Sequence, residues 1–495
     1  MSFFSTRGGS CVTASQAILQ GIAPDGGLYV PAMFEAITPG RLTSLTDMTY
    51  EERAVSILKR FLEDFSLKEI EEAVQAAYSR ERFNDPDVAP VRRLDEATWA
   101  LELFHGPTLA FKDIALQLLP HLLRLSAEKN GEKREVCILT ATSGDTGKAA
   151  LEGFRDVPGT SCTVFYPLDG VSDVQKLQMV TTGGSNTRVI AVRGNFDDAQ
   201  TGVKELFGSA EFREEMDRKG KTLSSANSIN LGRLVPQVVY YFSAYAELLK
   251  QHAIAAGDPV NFCVPTGNFG NILAGYYARS MGLPVNKLIC ASNRNKVLTD
   301  FFASGTYSTH RTFFKTISPS MDILVSSNLE RLLYEAADRD GRLIGTWMRQ
   351  LKESGSYSVG EQRRDWLLDT FWGECADNKE TLAEIRIRWE QDHYLMDPHT
   401  AVAGHVLREY RQRTGDDTPT VIAATASPYK FAADVLSALD SGSTGRDPFA
   451  ASEELEKKTG IPMPEQVRAL KELPVRHTAE CDRDRMGEAV LNAFA

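Results

Sequence analysis

The chain has 495 residues, a formal net charge of −11 and an ordinary balance of apolar (42%) and charged (24%) residues. That length calls for two or three domains, and the acidic surplus argues against nucleic acid or an anionic membrane as the main partner. Seven scattered cysteines with no CxxC pair point to reduced thiols, and neither a secretory stretch nor a run long enough to span a bilayer is evident, so a cytoplasmic protein is expected.

Helical signals open the chain at Tyr50–Leu62 and Leu67–Tyr78, with a turn signal at PDGG (24–27) and a proline-bearing boundary near 85–91. Residues 1–95 are therefore expected to form an N-terminal domain. Pro107 and Thr108 read as a helix start, followed by a mostly apolar run over Leu109–Leu125. From residue 135 onward short apolar runs alternate with helical patterns. The strand-like runs are Val136–Thr140, Cys162–Tyr166, Arg188–Val192, Phe262–Pro265, Leu288–Ala291 and Thr420–Thr425. Helices are expected at Lys148–Phe154, Val174–Val180, Ala199–Phe207 and Asn271–Met281. This alternation predicts an α/β fold with parallel sheets. Residues 328–393 read as a charged, strand-poor helical elaboration.

Four segments carry chemistry. In FHGPTLAFKD (104–113), helical spacing sets Lys112 on one face with Ala115, Leu116, Leu119 and Leu123. Burying an ammonium there is costly, so its pKa should fall towards the neutral amine that a Schiff base needs. A snorkelling lysine is the plainer alternative. ATSGDTGK (141–148) joins a strand to a helix and offers backbone N–H groups to an anion. It is not a nucleotide P-loop, because Thr142 replaces the first glycine and Ala149 the magnesium-binding hydroxyl. TGNFGN (266–271) is a second glycine-bearing strand-to-helix turn suited to a phosphate, or simply an ordinary βα loop. SANSINLGRLVPQ (225–237) pairs Arg233 with amide and hydroxyl side chains as a phosphate clamp, although Asn227 or Ser228 could equally cap a helix. The histidines, with no HExxH and no cysteine partner, give no metal signal. Lys176, Arg188 and Arg193 could line an anionic pocket or be plain surface charges.

FHGPTLAFKD resembles the pyridoxal-phosphate lysine motif of the threonine synthase family. FSTRGG (4–9), AILQGIAPDGGLYVP (17–31) and DPHTAV (397–402) extend the resemblance almost end to end. It implies the fold type II architecture: two α/β domains with parallel sheets plus the N-terminal domain. Residues 96–134 and 238–495 would form the large domain, and 135–237 a small mobile one, with pyridoxal 5'-phosphate between them. By resemblance, Lys112 carries the cofactor and Gly267, Asn268, Phe269, Gly270 and Asn271 cradle its phosphate. Thr425, with Ser427 as competitor, meets the pyridine nitrogen. Ser143, Asp145 and Thr146 would hold the substrate carboxylate, and Asn227, Ser228 and Arg233 its phosphate, supported by Asn230 and Gln237. The implied reaction turns O-phospho-L-homoserine and water into L-threonine and phosphate. A phospho-lyase releasing 2-ketobutyrate, ammonia and phosphate would share the same motifs. The long form of the family implies a monomer.

Overall fold

The computed structural model describes residues 2–142, 144–168, 171, 173–440, 442, 445 and 447–493. Strands β1 (Phe3–Ser5) and β2 (Tyr29–Pro31) pair antiparallel. β3 (Val91–Arg93) is an antiparallel edge on β4 (Thr98–Glu102). The next four, β5 (Glu135–Ala141), β6 (Thr160–Pro167), β7 (Thr187–Arg193) and β8 (Lys221–Ser224), alternate with helices and lie parallel in one sheet. β9 (Val260–Pro265) and β10 (Val285–Ser292) return to the sheet begun by β3 and β4, while β11 (Thr306–Ser308) and β12 (Ser356–Ser358) form a separate antiparallel pair. With β13 (Phe371–Cys375) and β14 (Thr420–Ala424) the larger sheet reads β13-β10-β9-β14-β4-β3. β15 (Ala479–Asp482) then crosses back, and the smaller sheet reads β15-β7-β6-β5-β8. Every residue of β4, β6, β9 and β14 is buried, as parallel strands covered on both faces require.

Each strand expected between 136 and 425 forms, with small differences at the ends. Other expectations are corrected. The helix expected to start at Pro107 or Thr108 begins instead at Lys112. Leu109 takes a left-handed φ of 58°, and the buried Asp113 carboxylate accepts from both the N–H and the hydroxyl of Thr108, so 107–111 is a tied turn. The 328–393 segment contains helices but also supplies β12 and the edge strand β13. β15 and the helix Met486–Ala493 pack on β7, so the C-terminal end joins the smaller sheet instead of the larger domain expected for 238–495. The N-terminal residues share one continuous apolar core with the helices Lys112–Lys129 and Leu231–Lys250. Tyr78 donates to the Ile114 carbonyl and Arg53 to Ser243, which fixes that segment against both helices.

Candidate active site

The carboxyl ends of β4, β5, β9 and β14 deliver the candidate residues to one region, as open α/β sheets do. Lys112 is the first residue of its helix, and Ala115, Leu116, Leu119 and Leu123 on its face are all buried. Its side chain is 11% exposed, and its Nζ lies 3.7 Å from Asp145 Oδ2 and over the Phe111 ring. Burial drives the Lys112 amine below its usual range, against the pull of Asp145.

Asp145 opens the helix Asp145–Phe154 after the turn from β5, where Thr142 Oγ1 accepts from the N–H groups of Gly144 and Gly147. Burial alone would raise the Asp145 carboxyl, but the ammonium groups of Lys430 and Lys112 hold it well below the usual carboxylate range. Ser320 Oγ also donates to Asp145. An ionised Asp145 is acceptor-only, so any anion at this helix start would meet its backbone N–H groups and not the Asp145 side chain. Thr146 is half-buried beside it, and Ser143 lies outside the described residues. Lys148, in the place of a P-loop lysine, is instead tied to Glu152 at 2.6 Å and Thr182 at 2.9 Å.

The TGNFGN turn heads the helix Gly270–Ser280. Phe269 takes a left-handed φ of 65° and packs on Phe302 and Phe371. A side chain on Gly267 would press its Cβ to within 2.8 Å of the Ser320 carbonyl, so glycine lets the two loops meet. The Asn268 carbonyl accepts from both the backbone and the side chain of Asn328. Asn271 Oδ1 accepts from Tyr240 and Tyr241 at 2.6 and 2.8 Å, which leaves its buried Nδ2 with no partner among the described residues.

Arg233 is buried in the first turn of the helix Leu231–Lys250. Its Nη1 donates to the Ala226 carbonyl, its buried Nε has no partner among the described residues, and desolvation lowers its pKa to about 10. Asn230, not Asn227 or Ser228, caps this helix. Ser228 instead accepts from Asn328, and Asn227 is exposed near Thr140. Gln237 links to Arg233 and Tyr240, as a support would. Thr425 is buried and accepts from the Phe111 N–H, one residue from Lys112. The Ser427 hydroxyl accepts from the Tyr429 N–H as the cap of a short turn, which leaves its own proton free to donate.

Sequence reasoning did not find Lys430, Ser320, Asn328 or Arg331, and assigned no site role to His399. His399 receives the Ser320 N–H on Nε2 and bonds Asp397 through Nδ1, while Arg331 bonds Asn328, Ile229 and Tyr29. The one signal that could have flagged Lys430 is its place in SPYKF (427–431), just past the end of β14. Arg188 and Arg193, weighed for an anionic pocket, instead hold the C-terminal segment through Ala493, Glu480 and Asp482. Among the described residues no cluster of His, Cys, Asp or Glu could hold a metal.

Two buried N–H donors without partners among the described residues, on Arg233 and Asn271, stand with a glycine-bearing helix start near a buried amine of lowered pKa. This donor set suits a phosphorylated aldehyde and a second anion. The family model described as pyridoxal-phosphate dependent enzyme matches residues 88–426, flanked by models for the threonine synthase N terminus (2–78) and C-terminal region (400–484). Threonine synthase from Pseudomonas aeruginosa is 41% identical over 87% of this chain and 89% of its own length. The chain belongs to the threonine synthase family. The solved structure of PLP-bound threonine synthase from Brucella melitensis matches with a TM-score of 0.89 at 37% identity, covering 100% of this chain and 99% of that one. Threonine synthase-like 1 from Homo sapiens is 42% identical over 86% of this chain, and the chain spans 58% of that relative's length.

Proposed function

We propose that this chain is a pyridoxal-phosphate-dependent lyase that converts O-phospho-L-homoserine and water to L-threonine and phosphate. The observation that carries the reading is Lys112, a buried amine of lowered pKa set beside two helix starts that expose N–H donors. Gly267, Asn268, Phe269, Gly270 and Asn271 would hold the cofactor phosphate, with Thr425 at the pyridine nitrogen. Bound pyridoxal phosphate supplies an aldehyde for the substrate's amine and a ring that accepts its electrons. Arg233, Asn227 and Ser228 would grip the substrate phosphate, and the N–H groups at Asp145 and Thr146 its carboxylate. Lys112, once released, would carry protons at Cα and Cβ. Residues 135–237 would close over the site to keep bulk water from the reacting carbons. A monomeric, cytoplasmic protein belongs to the same reading, supported by seven free thiols.

Purified protein should be yellow, and borohydride should fix the cofactor to the peptide containing Lys112. Lys112→Ala should abolish turnover. With O-phospho-L-homoserine, threonine should exceed 2-ketobutyrate among the products. A phospho-lyase, which would share the same motifs, is the second reading. Predominant 2-ketobutyrate with equal ammonia would establish that one and sink the synthase.

A further inference from the structure

Lys430 has none of the roles given above, yet its side chain is 2% exposed, against 11% for Lys112. Its Nζ lies 3.0 Å from Asp145 Oδ1 and donates to the Thr108 carbonyl at 2.8 Å. Both partners accept, which suits an ammonium. Lys112 reaches the other carboxylate oxygen only at 3.7 Å, outside hydrogen-bonding distance. One carboxylate thus faces two lysines, and the shorter, hydrogen-bonded pairing goes to Lys430.

We propose that Lys430 is a positioning residue: it takes up the charge of Asp145 and stands beside Lys112 as a second cation, so that Lys112 is the amine that gives up its proton and can react. This rests on Lys112 being the cofactor lysine. The charged groups facing Lys112 come from four elements. Asp113 lies on its own helix, Asp145 on the helix Asp145–Phe154, Arg233 on the helix Leu231–Lys250, and Lys430 on the turn Pro428–Phe431. His399, on the helix Pro398–Thr414, bears on Asp145. After desolvation, Asp145 favours the charged Lys112 while Lys430 and Arg233 oppose it. Removing Lys430 therefore acts twice in one direction. It deletes a repulsion and hands Asp145 to Lys112, and both favour the ammonium.

The test uses the full-length chain freed of cofactor with hydroxylamine. Brief acetic anhydride pulses across a pH series, read by peptide mass spectrometry, give the midpoint at which Lys112 becomes reactive. In Lys430→Met the midpoint should rise by about one unit, slowing labelling below both midpoints about tenfold. Lys430→Arg keeps the charge and should stay near the wild-type midpoint. Asp145→Asn combined with Lys430→Met should bring the midpoint back down. A Lys430 that merely supports the fold would lower Tm and leave the midpoint in place, which overturns the proposal. Should Lys430→Met fail to fold, Lys430→Gln, with an amide that can still donate to a carbonyl, carries the same comparison and the same two outcomes. Borohydride trapping at another lysine would overturn the cofactor reading instead, a failure the midpoints do not report.

Discussion

Asp113 shows how a single buried side chain can make stability depend on pH. Burial lifts its carboxyl to about 6, against the two hydrogen bonds it receives from Thr108. An unfolded aspartate titrates near ~3.9, so between about pH 4 and 6 the native state holds a proton that the unfolded chain has lost. The contribution is complete below about pH 4 and is lost as pH rises through about 6. Asp113→Asn cannot titrate. Urea unfolding at pH 4.5 and 7 should therefore show the wild type losing about 2 kcal/mol relative to the variant. A difference constant with pH would return Asp113 to the ordinary carboxylate range. Arg233 gives a second prediction at this scale. Arg233→Lys keeps the charge but not the planar fork, so KM for the phosphorylated substrate should rise one to two decades, for ~1.5–3 kcal/mol of charge-assisted bonding. An unchanged KM would move the clamp elsewhere. Lys112 was legible because a lysine interrupts an apolar helical face, a conflict visible in one dimension. Lys430 was not: it lies in a short turn whose period carries no facing information, and its partners Asp145 and Thr108 are remote in sequence.

At the level of elements, the glycines of the TGNFGN turn separate by geometry. A Cβ on Gly267 would stand 2.8 Å from the Ser320 backbone carbonyl, whereas one on Gly270 meets nothing closer than 3.5 Å. Gly267→Ala should displace the 318–322 loop and weaken cofactor retention at least about tenfold in equilibrium dialysis, or ~1.4 kcal/mol. Gly270→Ala should cost much less. Equal losses would mean that the turn, not its approach to Ser320, sets affinity. Phe269 belongs to the same turn, and its left-handed backbone is a strain offset by packing on Phe302 and Phe371. Six interior strands, β5, β6, β7, β9, β10 and β14, were legible from apolar runs bounded by turn residues, whereas the interior β4, though buried throughout, was missed. β13 and β15 were missed as well. Phe371 is the one buried residue of β13 and Cys481 the one buried residue of β15, and an edge strand with a single inward side chain leaves no periodic signal. The start at Lys112 was missed because Asp113 ties Thr108 outside the helix, a contact that overrides the proline-led signal.

Across the whole molecule, two sheets face the candidate site, and Asp145 from the smaller-sheet side is held by Lys430, Lys112 and Ser320 from the other. Substrate analogues that bear both a carboxylate and a phosphonate should engage the Asp145 helix start and Arg233 together. They should protect 135–237 from limited proteolysis, and analogues lacking either group should protect it less. Equal protection by all would argue against closure driven by both ends of the substrate.

The return of the C-terminal strand to β7 has a consequence for how the protein is made. A ribosome delivers β5 to β8 in succession, yet the neighbour that covers β7 emerges only after every strand of the larger sheet. Throughout the intervening synthesis β7 presents an open parallel edge, a template for pairing with the wrong chain. Translation that stops before residue 479 therefore releases a polypeptide with all four chemical segments intact and an added adhesive border at β7. Errors that remove β15 should be felt first as insolubility, before any loss of chemistry.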